Sequence, residues 1–319
     1  MPQIDKTYIA NRLAALGIDA QVLQHYQQNH RHYHTLNHIE DVLKAIEQSG
    51  GLENDILFLA AVFHDIVYNP IVIDNEQQSA AYFRQVYKGD EGIAKQVEAI
   101  ILDTKHHNGG TELSQQFQQA DLAVLDRPLE GLIEYEHQIF KEFAFVDWKI
   151  YQTERIKILE RFNTNGKLDG LIAYIKTSQP KIGVYAGSFN PFHKGHFNIL
   201  QKAEQIFDKV IIAFGRNLEK NDAQWPRPTF LQYKQTEEYN GLITDFIKGL
   251  GYDVTLVRGL RNADDLQFEK KQYRYMQDFM PEIQHINIFC DVEFEHISST
   301  SIRVLEKYGK HKEYLVDEE

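Results

Sequence analysis

The chain has 319 residues, 43% of them hydrophobic and 25% charged, and its formal net charge is −12. Its length predicts two domains that each bury a core, and its composition is typical of a soluble globular protein without membrane-spanning segments. The acidic balance argues against general binding of nucleic acids or anionic membranes, and the single cysteine, Cys290, excludes an internal disulfide and favours the cytoplasm.

The first half of the chain has a helical pattern. Between Ile4 and Ile175, segments such as "DILFLAAVFHDIV" and "AKQVEAIIL" place apolar residues three and four positions apart. No segment with the alternating pattern of a half-buried strand interrupts them. The pattern predicts an all-α domain over residues 1–179, which ends where Pro180 breaks the helical run.

Three segments of this half carry side chains that bind divalent metals. His38 is expected to open one helix, His64 and Asp65 to end a second, and Asp121 to begin a third. Imidazole and carboxylate are common ligands of divalent metals, and packed helices can bring such groups to one ion. A single helical histidine is more often an ordinary residue, so the hypothesis depends on all four residues together.

The order of these residues resembles the HD-domain metal-dependent phosphohydrolases, through the blocks "YHTLNH", "FHDIVY", "DNEQQSA" and "DLAVL". The resemblance implies an HD-type helical domain in which His38, His64, Asp65 and Asp121 bind a divalent metal of unknown identity. It also implies accessory roles, as acid, base or phosphate contact, for His34, Glu76 and His106 or its neighbour His107. The alternative is a regulatory domain that binds metal without turnover.

The second half, residues 180–319, has an α/β pattern. The short apolar segments "KIGVYAG", "KVIIAFG", "DVTLVRG" and "HINIFC" read as strands, and helix-type segments separate them. Strands that alternate with helices predict a doubly wound, Rossmann-like parallel sheet. Ligands are expected at the carboxyl ends of its strands.

A turn rich in glycine and histidine, "YAGSFNPFHKGHFNIL", joins the first of these strands to its helix. The start of a helix favours anions, because its first N–H groups lack partners and its dipole is positive there. Gly187 and Gly195 leave room for a nucleotide, and His193 and His196 share one face of the first helical turn. The turn therefore predicts a phosphate site.

The "HKGH" motif resembles that of the HxGH nucleotidyltransferases, and "VRGLRNADDLQFE" and "HISSTSIR" resemble, in order, blocks of the phosphopantetheine adenylyltransferases. The resemblance implies transfer of AMP from ATP, with Mg²⁺, to 4′-phosphopantetheine, giving dephospho-CoA and pyrophosphate. It implies catalytic roles for His196, His193 and Lys220. It implies contacts with ATP or the acceptor for Gly187, Ser188, Phe189, Arg258, Gly259, Arg261, Glu269, Ser298, Ser299 and Thr300.

Departures from the family pattern leave the acceptor open. The segment that follows Lys220 is shorter than in the family and lacks a clear second strand, and Met276 stands where the family commonly has asparagine. Nicotinamide or nicotinate mononucleotide is therefore the alternative acceptor. The resemblance also favours a homo-oligomer, and a further alternative is that both halves sense ligands with little chemistry.

Overall fold

The computed structural model describes residues 3–106, 109–216 and 224–316, and the chain divides into two compact units. Unit 1 comprises Met1–Phe143 and Gln152–Lys176, and unit 2 comprises Ala144–Tyr151 and Thr177–Glu319. Within the described ranges, no helix combines the length and the apolarity that crossing a bilayer requires.

Up to residue 177 the described chain is helical, in line with the predicted pattern. Its α-helices are α1 (Lys6–Ala15), α2 (Leu36–Gln48), α3 (Asp55–Phe63), α4 (Asn75–Val86), α5 (Glu91–Asp103), α6 (Glu112–Asp121), α7 (Leu129–Glu142), α8 (Trp148–Phe162) and α9 (Asp169–Thr177).

Helix α3 lies at the centre of unit 1. Asn54 caps its start by accepting hydrogen bonds from the N–H groups of Ile56 and Leu57, and every residue from 57 to 63 is buried. A helix that is apolar on all sides belongs inside a core, which here includes the fully buried ring of Phe83. Because α3 ends at Phe63, the residues that follow it emerge directly from this core.

Unit 2 contains a parallel five-stranded sheet with the strand order β3-β2-β1-β4-β5. Its elements are β1 (Ile182–Gly187), α10 (Lys194–Glu204), β2 (Lys209–Arg216), β3 (Thr236–Asn240), α11 (Ile243–Leu250), β4 (Thr255–Leu260), α12 (Ala263–Phe279), β5 (Gln284–Phe289) and α13 (Ser299–Glu306). The expected doubly wound, Rossmann-like sheet is thereby confirmed for this part of the chain. The strand order reverses between β1 and β4, and a crevice for ligands opens there at the carboxyl ends of the strands.

Strand β3 corrects the expectation that no clear second strand follows the Lys220 segment. Its sequence, "TEEYN", lacks an apolar run because it lies at the edge of the sheet, where its residues are half-buried or exposed. It pairs in parallel with β2 over five residues, beginning with Thr236 opposite Ile212. Backbone pairing with a neighbour that is already buried stabilises this strand, and a sequence pattern does not reveal such pairing.

Residues 144–151 belong to unit 2, whereas the sequence places the whole range 1–179 in one helical domain. The Lys209 ammonium, at the start of β2, donates hydrogen bonds to the carbonyl oxygens of Ala144 and Val146. The Tyr252 hydroxyl donates to Asp147 at 2.7 Å. The sequence does not indicate that residues 144–151 belong to unit 2. Helix α8 has the pattern of one continuous amphipathic helix, although its first turn belongs to unit 2.

The buried Lys209 is expected to make the free energy of unfolding of unit 2 depend on pH. Burial, partly offset by Asp147, lowers the pKa of Lys209 to about 7. An unfolded lysine titrates near pH 10.4, so between pH 7 and 10 the unfolded chain binds more protons than the folded one, and stability rises with pH. The free energy of unfolding of wild type, relative to Lys209→Met, is expected to increase between pH 7 and 9.5.

Urea unfolding followed by tryptophan fluorescence measures this difference, because both tryptophans of the chain, Trp148 and Trp225, belong to unit 2. The exposed Lys307, replaced by methionine, serves as the control and should keep the pH dependence of the wild type. A wild-type advantage over Lys209→Met that stays constant across this pH range would contradict the prediction.

Two candidate active sites

The first candidate site is built on the start of α10. His193 is the N-cap residue of this helix, and its Nδ1 accepts a hydrogen bond from the backbone N–H of His196 at 3.4 Å. In return, the Nδ1 of His196 accepts from the backbone N–H of His193 at 3.3 Å. The two rings stack with centroids 3.6 Å apart. Since each Nδ1 is an acceptor, each neutral ring carries its proton on Nε2.

Both imidazoles are neutral near pH 7. Burial, with a further contribution from the Arg261 charge, lowers the pKa of His193 to about 4. Burial, together with the proximity of His193 and of the Arg261 charge, lowers the pKa of His196 well below its usual value. The Nε2–H groups of the pair are therefore neutral donors, suited to oxygens on which negative charge develops.

A cavity of about 240 Å³ lies beside this pair, at the carboxyl edge of the sheet. Eight of the residues selected from the sequence line it together: His193, Gly195, His196, Gly259, Arg261, Glu269, Ser298 and Ser299. Five others are not among its lining residues: Gly187, Ser188, Phe189, Arg258 and Thr300. Lys220, expected to be catalytic, lies outside the described residues.

Gly187 and Phe189 pack against each other next to His196. A Cβ atom on Gly187 would come within 2.8 Å of the Phe189 ring, so the close approach here is to a side chain of the protein. Phe189 has a positive φ of 47° and is buried, and its ring meets the His196 ring edge-on at 4.9 Å. Both residues therefore shape the support beneath His196. Ser188 and Thr300 are exposed.

The start of α13 also lines the cavity. Ser298 caps this helix by accepting a hydrogen bond from the N–H of Ser301, and the Ser299 hydroxyl donates to the carbonyl oxygen of Pro191 at 3.0 Å. Arg303 donates to the carbonyl oxygen of Asn190. These bonds hold α13 against the turn that precedes α10. Two helix starts, each with a positive dipole end, therefore border one cavity.

The two arginines of the "VRGLR" segment are both paired with carboxylates of α12. Arg258 forms a two-point ion pair with Glu269 at 2.7 and 2.9 Å and donates to the carbonyl oxygen of Ala186, near the end of β1. Arg261 pairs with Asp265 at 2.8 and 2.9 Å. Asp265 also lines the cavity, although the sequence reasoning did not select it. Its position four residues after Arg261 is a signal that could have identified it.

The ion pair between Arg258 and Glu269 predicts a stability effect. Glu269 is 6% exposed, so Glu269→Gln would leave the Arg258 guanidinium with a weaker partner in a largely buried place. Removing one partner of a buried pair is expected to lower the free energy of unfolding of unit 2 by roughly 3 kcal/mol. Urea titration with tryptophan fluorescence measures the loss. The exposed Glu282→Gln is the control, and a loss no larger than that of the control would contradict the prediction.

The second candidate site lies in unit 1, where four predicted metal ligands converge. The Nε2 atoms of His38 and His64 are 3.1 Å apart. Asp65 Oδ2 lies 2.9 Å from the Nε2 of His64 and 3.6 Å from that of His38. Asp121 Oδ1 lies 3.3 Å from the Nε2 of His38 and 3.4 Å from that of His64. The packing of unit 1 therefore brings together residues that are up to 83 positions apart in the sequence.

These separations fit a divalent cation. Ligand atoms that each lie about 2.0–2.2 Å from one ion stand roughly 3–3.5 Å from one another. His38, His64 and Asp65 lie mutually near this range, and Asp121 lies near it from both imidazoles. The Nδ1–H of His64 donates to the carbonyl oxygen of Ala61 at 3.0 Å, which leaves the lone pair of its Nε2 facing the cluster. Two imidazoles and two carboxylates suit zinc, manganese, iron or nickel.

The helical positions of the ligands differ from expectation at one point. His64 follows the last residue of α3, as predicted, whereas Asp121 ends α6 instead of beginning a helix. Thr111 caps α6 upstream, and the turn that follows Asp121 is a separate 3-10 segment, Leu122–Asp126. Four apolar residues after Asp121 resemble the beginning of a helix, which explains the difference.

A cavity of about 250 Å³ adjoins the cluster and is lined by the four ligands together with His34 and Glu76. His106 is exposed and is not among the lining residues, and His107 lies outside the described part of the chain. Glu142 was not selected from the sequence, yet it is 1% exposed and bonded to His34. No local signal marks it, because His34 is 108 positions away.

Comparison with known proteins assigns unit 2. A model of the cytidylyltransferase-like family matches residues 184–305. The phosphopantetheine adenylyltransferase of Mycoplasma capricolum subsp. capricolum is 36% identical over 140 residues, which cover 41% of this chain and 99% of that protein. The phosphopantetheine adenylyltransferase of Clostridium botulinum is 30% identical over 148 residues, which cover 44% of this chain and 92% of that protein. The chain therefore belongs, through unit 2, to the cytidylyltransferase-like family of nucleotidyltransferases.

Within that family, the similarity is to the phosphopantetheine adenylyltransferases. A further phosphopantetheine adenylyltransferase, from Cytophaga hutchinsonii, is 32% identical over 137 residues, which cover 40% of this chain and 91% of that protein. The nucleotidyltransferase resemblance read from "HKGH" and the two later blocks is thereby confirmed.

Proposed function

We propose that unit 2 transfers AMP from ATP to 4′-phosphopantetheine, which gives dephospho-CoA and pyrophosphate. The observation that carries the proposal is the pair of imidazoles, His193 and His196, whose Nδ1 atoms are engaged by the backbone and which line one cavity with Ser298 and Ser299. The names of the similar proteins supply the acceptor.

In this reaction a phosphate oxygen of the acceptor attacks the α-phosphorus of ATP. A new P–O bond forms, and the bond to the β-phosphate oxygen breaks, so that pyrophosphate leaves with its electron pair. Mg²⁺ bound to ATP neutralises part of the phosphate charge. The protein binds and aligns the two substrates and stabilises the transition state, and it forms no covalent bond with either substrate.

The residues of the cavity divide this work. The Nε2–H groups of His193 and His196 donate to phosphate oxygens as their negative charge increases, and the start of α13 faces the phosphates with its dipole. Arg261 supplies a positive charge at the cavity wall. Glu269 would accept hydrogen bonds from the ribose of ATP. Arg258 would act indirectly, because it holds the Glu269 carboxylate. The role proposed for Lys220 comes from the resemblance alone.

The test is a pyrophosphate-release assay with ATP, Mg²⁺ and either 4′-phosphopantetheine or nicotinamide mononucleotide. Release that depends on 4′-phosphopantetheine is the expected result. Pyrophosphate release only with nicotinamide mononucleotide would identify the mononucleotide as the acceptor instead of 4′-phosphopantetheine. Release with neither acceptor would overturn the proposal and favour a domain that senses nucleotides.

We further propose that unit 1 is an HD-type, metal-dependent phosphohydrolase domain. The convergence of His38, His64 and Asp65 near the separations expected around one cation, with Asp121 beside both imidazoles, favours this second function. A divalent metal bound there would acidify a water and polarise a phosphate ester. The residues His34 and Glu76 line the same cavity and would orient or deprotonate that water.

Phosphate release from p-nitrophenyl phosphate, with Mg²⁺, Mn²⁺, Zn²⁺ or Ni²⁺ added to metal-free protein, tests this function. Metal-dependent release is expected. Metal binding without release would favour a regulatory domain, in which case the rate of pyrophosphate release by unit 2 should change when unit 1 is loaded with metal.

A further inference from the structure

One carboxylate in unit 1 has an unusually large number of hydrogen-bond donors. Glu142, the last residue of α7, is 1% exposed. Its Oε1 accepts from three consecutive backbone N–H groups, those of His32, Tyr33 and His34, at 2.8, 2.8 and 2.9 Å. Its Oε2 accepts from the Nδ1 of His34 at 2.6 Å and from the Tyr68 hydroxyl at 2.8 Å.

Five donors require an ionised carboxylate. A protonated carboxyl group is itself a donor and would lose at least one of these contacts, whereas the ionised group only accepts and can share its lone pairs among several donors. Although burial alone would raise it, the contacts with His34 and with the backbone lower the pKa of Glu142 to about 2. A charge buried in this way is stabilised only while its donors stay in place, so it also fixes their geometry.

The bond to Glu142 determines which nitrogen of His34 faces the metal-ligand cluster. Tyr68 stacks on the His34 ring with centroids 4.1 Å apart and at the same time donates to Glu142, so the ring is held on its face and at its Nδ1. On the other side of the ring, Nε2 lies 3.9 Å from Asp65 Oδ2. His34 therefore presents only Nε2 to the cavity.

We propose that Glu142 is a positioning residue that holds the Nδ1–H of His34 and directs His34 Nε2 into the cavity, where it is the proton acceptor of the hydrolytic step. The proposal rests on the phosphohydrolase function proposed for unit 1. In that step a water oxygen bonds to phosphorus, its proton passes to His34 Nε2, and the ester oxygen leaves with its electron pair and takes a proton from solvent.

This assignment explains why the carboxylate comes from a distant part of the chain. The segment that carries His34 has no regular secondary structure between residues 28 and 35. Its three N–H groups and its imidazole are held in place by α7 instead, through a single side chain. A site that needs a ring within a fraction of an ångström of its place gains from such a rigid support.

The tautomer is measured directly by nitrogen-15 NMR of the histidine side chains in metal-free protein at alkaline pH, because, against the effect of burial, Glu142 and Asp65 raise the pKa of His34. The His34 signals are identified from their loss in His34→Gln. Wild type is expected to carry the His34 proton on Nδ1. A wild-type proton on Nε2 would overturn the proposal without any need for a Glu142 variant.

Glu142→Gln is the decisive change. Its amide oxygen can still accept from the three backbone N–H groups, while its NH₂ group faces His34 and converts Nδ1 into an acceptor. The His34 proton is then expected to move to Nε2, and kcat for p-nitrophenyl phosphate to fall at least about 10²-fold with little change in KM. An unchanged tautomer, or an equal loss from a raised KM alone, would contradict the proposal.

Glu136→Gln is the matched control, because Glu136 is also a buried carboxylate of α7 but pairs with Arg155. It should leave the His34 tautomer unchanged. If wild type releases no phosphate with any of the metals, the hydrolase function fails and the proton-acceptor role fails with it, whereas the metal-free spectrum still decides whether Glu142 sets the tautomer.

Discussion

His196→Ala is expected to lower kcat for pyrophosphate release by about 10²–10³-fold, the usual effect of losing one donor to a transition-state charge. ATP binding should largely survive, because Arg261, Glu269 and the start of α13 still line the cavity. The loss should therefore appear in kcat more than in the KM for ATP, since His196 acts on charge that develops during transfer.

A histidine elsewhere in unit 2 provides the comparison. His285, in β5, stacks on Tyr273 and does not line the cavity, so His285→Ala should keep a near-normal kcat. If His196→Ala turned over at the rate of the wild type, the role assigned to the imidazole pair would be wrong. If both variants lost activity equally, the effect would be one of folding, which the tryptophan fluorescence of unit 2 would show.

Asp65→Ala is expected to abolish metal binding by unit 1. Asp65 is the ligand candidate whose oxygen lies within 4 Å of the Nε2 atoms of His64, His38 and His34, and without it Asp121 is the one carboxylate of the proposed ligand set left to compensate the cation. Elemental analysis of dialysed protein, wild type against variant, measures the effect. Metal-dependent phosphate release should disappear together with the metal.

The melting temperature gives a second measure of the same change. Metal that binds the folded state alone stabilises it by about 2.7 kcal/mol at a free concentration of 100 times Kd, so a chelator should lower the melting temperature of wild type. Asp65→Ala should show no such response. The exposed Asp126→Ala should behave like wild type, and equal metal content in Asp65→Ala would refute the ligand set.

Local signals predicted the scaffolds of both sites. The apolar run of α3 places His64 and Asp65 at the edge of a core, and the turn between β1 and α10 places His193 and His196 at the start of a helix. In each case the periodicity of a short segment determines the position of the functional side chain, and neighbours in sequence are neighbours in space.

Features that depend on distant pairing were not predictable. Glu142 reaches His34 across 108 positions, and β3 exists because β2 is beside it. The pairing of Arg258 with Glu269 was not anticipated. The resemblance implied that both residues contact the nucleotide, and it gave no reason to pair them with each other. Hydrogen bonds between separate elements depend on the packed structure and have no periodicity of their own.

The assignment of residues 144–151 to unit 2 has a consequence for dividing the chain. Because the next 25 residues, 152–176, return to unit 1, neither unit is one continuous stretch of sequence, and no single cleavage releases both intact. A fragment that starts at Lys181 would bury the Lys209 ammonium without the carbonyls of Ala144 and Val146. A fusion that joins unit 2 to another protein must therefore include residues 144–151, which lie within the sequence of unit 1.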